Sequence, residues 1–333
     1  MDRPTTRNAT NLLRGALASL APLFDDPAVT EIMLNAPGEL WVQRDGLIER
    51  LPCTVTDAQV QAAVTVLARL SRRDATAGTR GGMIDARFDG MRICACLAPT
   101  AVRGHALCIR KHLRRRLTLA DLEQTGSLTA GAARLLRSAV LGRCNLIIGG
   151  ATDTGKTTFM NALLAEIPGH ERLVTIEDTP ELDVAAPNWV AFETSDTEGI
   201  TARDLVRLAL RMRPDRILVG EVRGAEAFDL MQVANTGHRG SLATLHANDA
   251  IGALSRLETL VLTAGVRWPF EAVQRQIAEA FDLVVFLARH QGRRRVSEIL
   301  RIDGFDARQR RYRSTVLFDA EAGDASSAHV LAA

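Results

Sequence analysis

An α/β fold, with a largely parallel sheet preceded by a smaller α+β domain, is what this sequence predicts, and three observations carry it. The stretch Gly149–Leu164, GGATDTGKTTFMNALL, follows a short apolar run (RCNLIIGG) and leads into apolar residues at helical spacing. A strand therefore feeds a helix through a glycine-rich loop. Beyond residue 128, short apolar runs alternate with helical patterns, as βαβ units do. Between the two halves lies the basic, polar stretch 113–127, which reads as a linker. The expected organisation is an N-terminal α+β domain over 1–112, a linker over 113–127, an α/β domain over 128–318 and a tail over 319–333. The tail has too little periodicity to assign and is expected to be disordered.

The elements follow in order. NLLRGALASLAPLF (11–24) spaces leucines three and four apart and reads as one helix. Short strands separated by Pro-Gly and Asp-Gly turns account for the segment from Asp25 to Leu51. A helix capped by Thr56 presents Val60, Val64, Leu67 and Leu70 on one face. Further strands follow in MIDARFDGMRICACLAPT, with a turn at Asp89-Gly90, and in HALCIRKHL. In the second domain, strands are expected over 144–149, 172–176, 189–193, 215–220 and 240–245. FDLVVFLARH and RRVSEILRIDG then form an antiparallel hairpin turning at Gly292.

Composition narrows the class. A chain of 333 residues is long enough for about two domains with real cores. A net charge of only +2 gives no global argument for nucleic acid as the main partner. Positive charge is local instead, in RKHLRRR (110–116) and GRRR (292–295). Such runs are solvated surface by default, or contacts to an acidic partner or an anionic membrane face. No apolar run approaches the roughly 18–20 residues that span a bilayer, and no signal pattern opens the chain, so a cytoplasmic protein is expected. Five cysteines form no C-x-x-C pair; Cys94 and Cys96 alternate along a strand and are expected to share a core-facing side as reduced thiols.

Gly150, Gly155, Lys156 and Thr157 fit G-x-x-x-x-G-K-[ST], the phosphate-binding P-loop. Glycines let successive N–H groups face phosphate oxygens, and the following helix adds unpaired N–H groups and the positive end of its dipole. Lys156 is positioned to reach the β- and γ-phosphates, and the Thr157 hydroxyl to ligate Mg²⁺. Gly150, Ala151, Thr152, Asp153, Thr154, Gly155, Lys156, Thr157 and Thr158 are the candidate cradle for ATP.

Downstream, LVTIEDTPEL runs an apolar strand into Glu177 and Asp178, at the strand end where open α/β sheets bind ligands. RPDRILVGEVRG ends a buried run at Glu221, on a strand expected to neighbour the P-loop strand; such a carboxylate holds Mg²⁺ through water or orients the attacking water. His238 and His246 flank a short strand in NTGHRGSLATLHAND, with no cysteine or close third histidine to make a zinc site. Arg203, Arg207 and Arg211 recur every four residues along TARDLVRLALRMRPD. They form a stripe that is solvated by default or reaches a phosphate or a neighbouring subunit.

The ordered blocks GGATDTGKTT, IEDTPEL, RPDRILVGEVRG and GHRGSLATLHAND resemble the secretion-ATPase superfamily of type II and type IV secretion and pilus motors. There they are the Walker A, Asp, Walker B and His boxes. DDPAVTEIMLNAPGELWVQRDG and RICACLAPTAVRGHALCIRK resemble the family's N-terminal domain, so the likeness spans roughly residues 20–310. LRMRPDRILVGEVRG is most similar to the conjugal-transfer (TrbB) branch. The resemblance implies a RecA-like ATPase domain, an N-terminal domain closing over the nucleotide, a homo-hexameric ring and ATP with Mg²⁺ as cofactors. It implies phosphate and Mg²⁺ binding by Lys156 and Thr157, and water positioning by Glu177 and Glu221, with Glu221 also near the metal. His238 and His246 would face the γ-phosphate region, Arg92 and Arg110 would approach the γ-phosphate, and Arg211 matches an arginine before the Walker B strand.

Asp153 departs from the family's loop, which carries glycine there. Aspartate tolerates a left-handed backbone, but its charge disfavours polyphosphate unless a cation compensates. Two expectations follow: the acid weakens nucleotide binding, or it turns away to pair with a basic residue such as Arg110 or one on a neighbouring subunit.

The function expected is a cytoplasmic hexameric ATPase powering conjugative transfer or type IV secretion. Its expected partners are the inner-membrane components of the channel, with peripheral membrane association and no direct nucleic-acid binding. A type II secretion or pilus-assembly motor is the alternative within the class. Outside it stand a RecA-like DNA translocase, which needs stacking aromatics that a 4% aromatic content hardly supplies, and a catalytically weak nucleotide-binding scaffold.

Overall fold

The computed structural model describes residues 12–70, 76, 82–88, 91–111, 117–195 and 198–324. The chain divides into two compact units, Met1–Arg115 and Arg116–Ala333.

In the first unit the helix expected over 11–24 is broken. Residues 12–16 are helical, Ala18–Leu20 is a 3₁₀ turn, and α1 (Ala21–Asp25) restarts with Pro22 in its first turn, where a missing N–H costs nothing. Strands β1 (Val29–Ala36), β2 (Glu39–Arg44) and β3 (Leu47–Leu51) form a meander, and both Asp45 (φ 49°) and Gly46 (φ 83°) are left-handed, as a two-residue hairpin turn requires. Helix α2 (Asp57–Leu70) starts at a reciprocal cap: the Gln59 amide donates to Thr56 Oγ1, and Gln59 Oε1 accepts from the Thr56 amide. Strands β4 (Met83–Phe88), β5 (Met91–Cys96) and β6 (Ala106–Lys111) complete an antiparallel sheet of order β3-β2-β1-β6-β5-β4. The turn at Asp89-Gly90 lies outside the described residues. Helix α2 and the N-terminal turns pack on one sheet face, where Ile32, Val42, Ile93 and Ile109 join Val60, Val64 and Leu67 in the core. Strand alternation puts Cys94 on the outer face, exposed, and leaves Cys96 half-exposed; contrary to the expectation from sequence, the core-facing residues of β5 are Met91, Ile93 and Ala95.

The second unit opens within the stretch expected as a linker. Residues 112–116 lie outside the described residues, but α3 (Leu119–Gln124) carries a Thr118–Asp121 capping box and buries Leu119 completely, because an apolar stripe seeks the core. Helix α4 (Ala130–Leu141) follows, then β7 (Leu146–Gly150), α5 (Lys156–Leu164), β8 (Leu173–Glu177) and β9 (Trp189–Glu193). Helix α6 (Ala202–Ala209) leads to β10 (Arg216–Val219), α7 (Glu226–Asn235), β11 (Leu242–Leu245), α8 (Ala250–Thr263) and α9 (Phe270–Ala280). Strands β12 (Leu283–His290) and β13 (Arg293–Asp306) make the expected hairpin. Two further strands, β14 (Arg311–Asp319) and β15 (Gly323–Asp324), extend into the stretch expected as a tail; residues 325–333 lie outside the described residues.

The sheet order is β15-β14-β13-β12-β7-β11-β10-β8-β9, parallel from β12 through β9 and antiparallel beyond. Every residue of β7, β8, β10 and β11 is buried. Ile147, Ile217 and Leu245 face a core with α6–α9, while Leu146, Ile148 and Leu218 face one with α3–α5. Continuous apolar runs without alternation are the sequence consequence of a sheet covered on both faces.

One polar cluster holds the N-terminal edge of these strands. Arg216, with no exposed surface, donates from Nε and Nη2 to Glu171 (2.7 and 2.9 Å) and from Nη1 to the Val140 carbonyl (2.8 Å). Left-handed Gly240 (φ 87°) makes room for it, since a Cβ there would stand 2.7 Å from the guanidinium. The Arg216 hydrogen bond lowers the Glu171 carboxyl to about 2 despite burial, with Arg143 adding to the effect.

Candidate functional site: a phosphate cradle with a histidine–carboxylate edge

Strand β7 ends in Gly150, the loop turns through Asp153 (φ 62°) and Gly155 (φ 89°), and α5 begins at Lys156. A Cβ on Gly150 would meet Thr154 Oγ1 at 2.6 Å and the Leu287 carbonyl at 2.7 Å, so only glycine fits there. Thr154 Oγ1 closes the loop by donating to the Ala151 carbonyl (2.9 Å). No side chain caps α5, which leaves its first N–H groups facing the loop. Lys156 is buried. Its Nζ donates to the carbonyls of Gly150 and Ala151 (both 3.0 Å) and lies 3.3 Å from His246 Nδ1. Burial lowers its pKa, a change that Glu221 opposes. A glycine a Cβ would crowd, an uncapped helix start and a buried ammonium resting on carbonyls together fit a polyphosphate. Thr157 is half-buried on the first turn of α5; Ala151, Thr152 and Thr158 are exposed.

The strand ending at Glu221 is not the neighbour of the P-loop strand, as expected from sequence: β11 lies between β7 and β10. The residue that follows β11, His246, therefore bridges the gap. Thr244 Oγ1 donates to the Gly220 carbonyl (2.6 Å) and the Val222 amide to the Thr244 carbonyl (2.8 Å), which fixes Glu221 beside His246. His246 Nε2 lies 2.9 Å from Glu221 Oε1. Because Lys156 can only donate, Nδ1 of His246 accepts and Nε2 carries the proton toward Glu221. That approach is close but poorly aligned for a hydrogen bond, since Oε1 is buried without an aligned donor. Glu221 Oε2 accepts from Arg223 Nη2 (2.7 Å), and Arg223 Nη1 reaches Asp178 Oδ2 (3.2 Å). Burial pushes the Glu221 carboxyl up, but Arg223, His246 and Lys156 outweigh it and hold it below its ordinary value.

Glu177 is placed differently. It is buried and turned into its own loop, with Oε1 accepting the amides of Glu181 (2.8 Å) and Leu182 (2.9 Å), and its Cγ packs where a Cβ on Gly220 would stand. His238 sits before β11, at the opposite end of that strand from His246, with Nδ1 buried and lacking a hydrogen-bond partner among the described residues. Arg211 is exposed and precedes β10, again at the far edge from Glu221. Its stripe companions Arg203 and Arg207 both donate to Asp229 (2.7 and 2.8 Å). In the first unit, Arg92 makes a two-point pair with Asp85 (3.1 and 2.7 Å), and Arg110, its register partner across β5 and β6, lies 3.6 Å from Glu31. Within the second unit the structure thus brings Lys156, His246 and Glu221 together and leaves His238 and Arg211 at the other edge.

Sequence reasoning missed Arg223, although its place two residues after Glu221 in GEVRG was a signal. It also read GRRR as surface or as a partner contact. Arg294 of that run donates from Nε to the Asp153 carbonyl (2.9 Å) and from Nη2 to Oδ1, while Arg289 Nη2 lies 2.9 Å from Oδ2. The acid in the cradle thus turns to basic residues, but to those of its own unit rather than to Arg110.

The profile described as "Type II/IV secretion system protein" matches residues 16–311. The "Conjugal transfer protein TrbB" of Rhizobium radiobacter is 38% identical over 294 residues, covering 86% of this chain and 87% of that protein. The "Type IV secretion system protein VirB11" of Brucella suis biovar 1 is 34% identical over 319 residues, covering 85% and 88%. Among solved structures, the Legionella pneumophila ATPase DotB superposes with a TM-score of 0.58 over 93% of this chain and 84% of its own; at 19% identity it speaks for the fold.

Proposed function

Because the chain belongs to the type II/IV secretion system protein family, we propose that it is a RecA-like motor ATPase of a conjugal-transfer or type IV secretion system. The observation that carries this is the line Lys156–His246–Glu221 along the C-terminal edge of three adjacent parallel strands, directly over an uncapped P-loop. ATP with Mg²⁺ supplies a phosphoanhydride whose hydrolysis needs positioning and charge stabilisation more than covalent help from the protein.

The chain's residues divide that work. Lys156 leaves the Gly150 and Ala151 carbonyls for phosphate oxygens, an exchange a buried ammonium favours because an anion offsets its desolvation. The Thr157 hydroxyl stands at the helix start where a P-loop holds its metal. Glu221, kept ionised by Arg223, His246 and Lys156, orders and polarises water on the open side of the loop. His246, with Nδ1 toward Lys156 and Nε2 toward Glu221, reports the occupancy of the loop to the carboxylate. Glu177 supports this edge by packing under Gly220. A hexameric ring, closure of the first unit through Arg92 and Arg110, and a cytoplasmic location facing channel components belong to the same proposal. No helix among the described residues is long and apolar enough to cross a membrane.

ATP turnover and solution mass of the full chain, with Mg²⁺ and a slowly hydrolysed ATP analogue for the mass, test the proposal. Turnover abolished by Lys156→Ala and a six-fold mass support it; a folded protein that neither binds nor hydrolyses ATP ends it.

A further inference from the structure

Asp153 does more than avoid the phosphate site. Strand β12 pairs with β7 only as far as Leu287 opposite Gly150, so the rest of the β12–β13 hairpin runs on past the P-loop. In that overhang Arg289 and Arg294 are directly opposed register partners. Two like charges across a hairpin are unfavourable unless an anion stands between them. Asp153 is that anion: its two carboxylate oxygens take one arginine each, and its carbonyl takes Arg294 Nε. Arg294 also crosses the cradle, with Cδ 3.3 Å from where a Cβ on Gly155 would stand, one residue before Lys156.

The three groups carry a net charge of +1 beside a loop shaped for anions. Their side chains are 34%, 40% and 45% exposed, and ion pairs so screened contribute little and exchange readily. Building on the nucleotide-site assignment above, we infer that Arg289 and Arg294 are a second cationic arm of that site. Asp153 occupies the arm in the free protein and yields it to the polyphosphate when nucleotide binds. The loop acid is a placeholder ligand, so its cost to affinity is exerted through the arginines rather than by repelling phosphate directly.

A double-mutant cycle on the full chain separates these accounts, using calorimetric titration with Mg²⁺ and a slowly hydrolysed ATP analogue. Thermal melting of each variant confirms folding. Asp153→Asn is expected to bind about three- to tenfold more tightly, and Arg294→Ala and Arg289→Ala about three- to tenfold more weakly. In the Arg294→Ala/Arg289→Ala background, Asp153→Asn is expected to gain nothing, because there is no arm left to release. A gain that persists in full in that background makes Asp153 a simple repellent and overturns the inference. So does an Asp153→Asn protein that binds no better, which would make the acid a structural tie, or arginine variants that bind like the parent. Failure of the parent protein to bind while Lys156→Ala behaves identically would count against the nucleotide site itself, a distinct result.

Discussion

The two edges of the parallel sheet carry polar clusters of similar composition and opposite character. At the N-terminal edge Arg216 and Glu171 are buried, bidentate and further satisfied by a backbone carbonyl and by Arg143. At the C-terminal edge Glu221 and His246 are 20% and 44% exposed, and Lys156 spends its donors on carbonyls. A cluster with every valence matched fixes structure, since moving any member strands a buried charge. One whose members hold makeshift partners is poised to receive something else. Charge and residue type do not distinguish the two edges; saturation and exposure do.

The comparison predicts contrasting failures. The largest effect is expected from Arg216→Ala, which strands Glu171: a stability loss of about 3–5 kcal/mol, read by denaturant titration. If unfolding is barely altered, the N-terminal edge is not the structural one. Glu221→Gln should leave stability and ATP binding near the parent's while lowering turnover by about a hundredfold or more, roughly 2.7 kcal/mol in the barrier. Near-normal turnover would remove Glu221 from the mechanism.

The histidines sharpen the contrast inside one strand. His246→Ala should cost about tenfold or more in turnover, and His238→Ala no more than about threefold, when both are assayed as folded full chains. Equal losses would mean that His238 acts across a subunit boundary. Acid should select the N-terminal edge as well. Glu171 has its folded pKa lowered to about 2 from an ordinary 4.5, so its stabilisation is complete above about 4.5 and is lost as pH falls toward 2. Acid unfolding of Glu171→Gln should lack that component; an unchanged acid profile would contradict it. The smallest effect is at the start of α6, where Thr201→Ala removes a capping box outside both edges and should cost about 1 kcal/mol.

Local rules were enough for much of this molecule. G-x-x-x-x-G-K-T after an apolar run fixes a strand, a loop and a helix because glycine freedom and helix capping act within a few residues. Period and turn chemistry likewise placed the β7–β11 strands and the β12–β13 hairpin. Local signals failed where partners are distant in sequence. Nothing near Cys94 says that the opposite sheet face carries α2, and nothing in 113–127 says that Leu119 has a core to enter. By itself, then, the sequence determined where the glycine-rich loop falls and which segments become strands. Only the tertiary structure decided that β11 intervenes between β7 and β10, so that His246 rather than His238 joins Lys156 to Glu221, and that the arginines of a surface-looking run close on Asp153. Strand order and ion pairing across 136 to 141 residues depend on how the whole sheet assembles, and charge acts through space with no regard for chain distance.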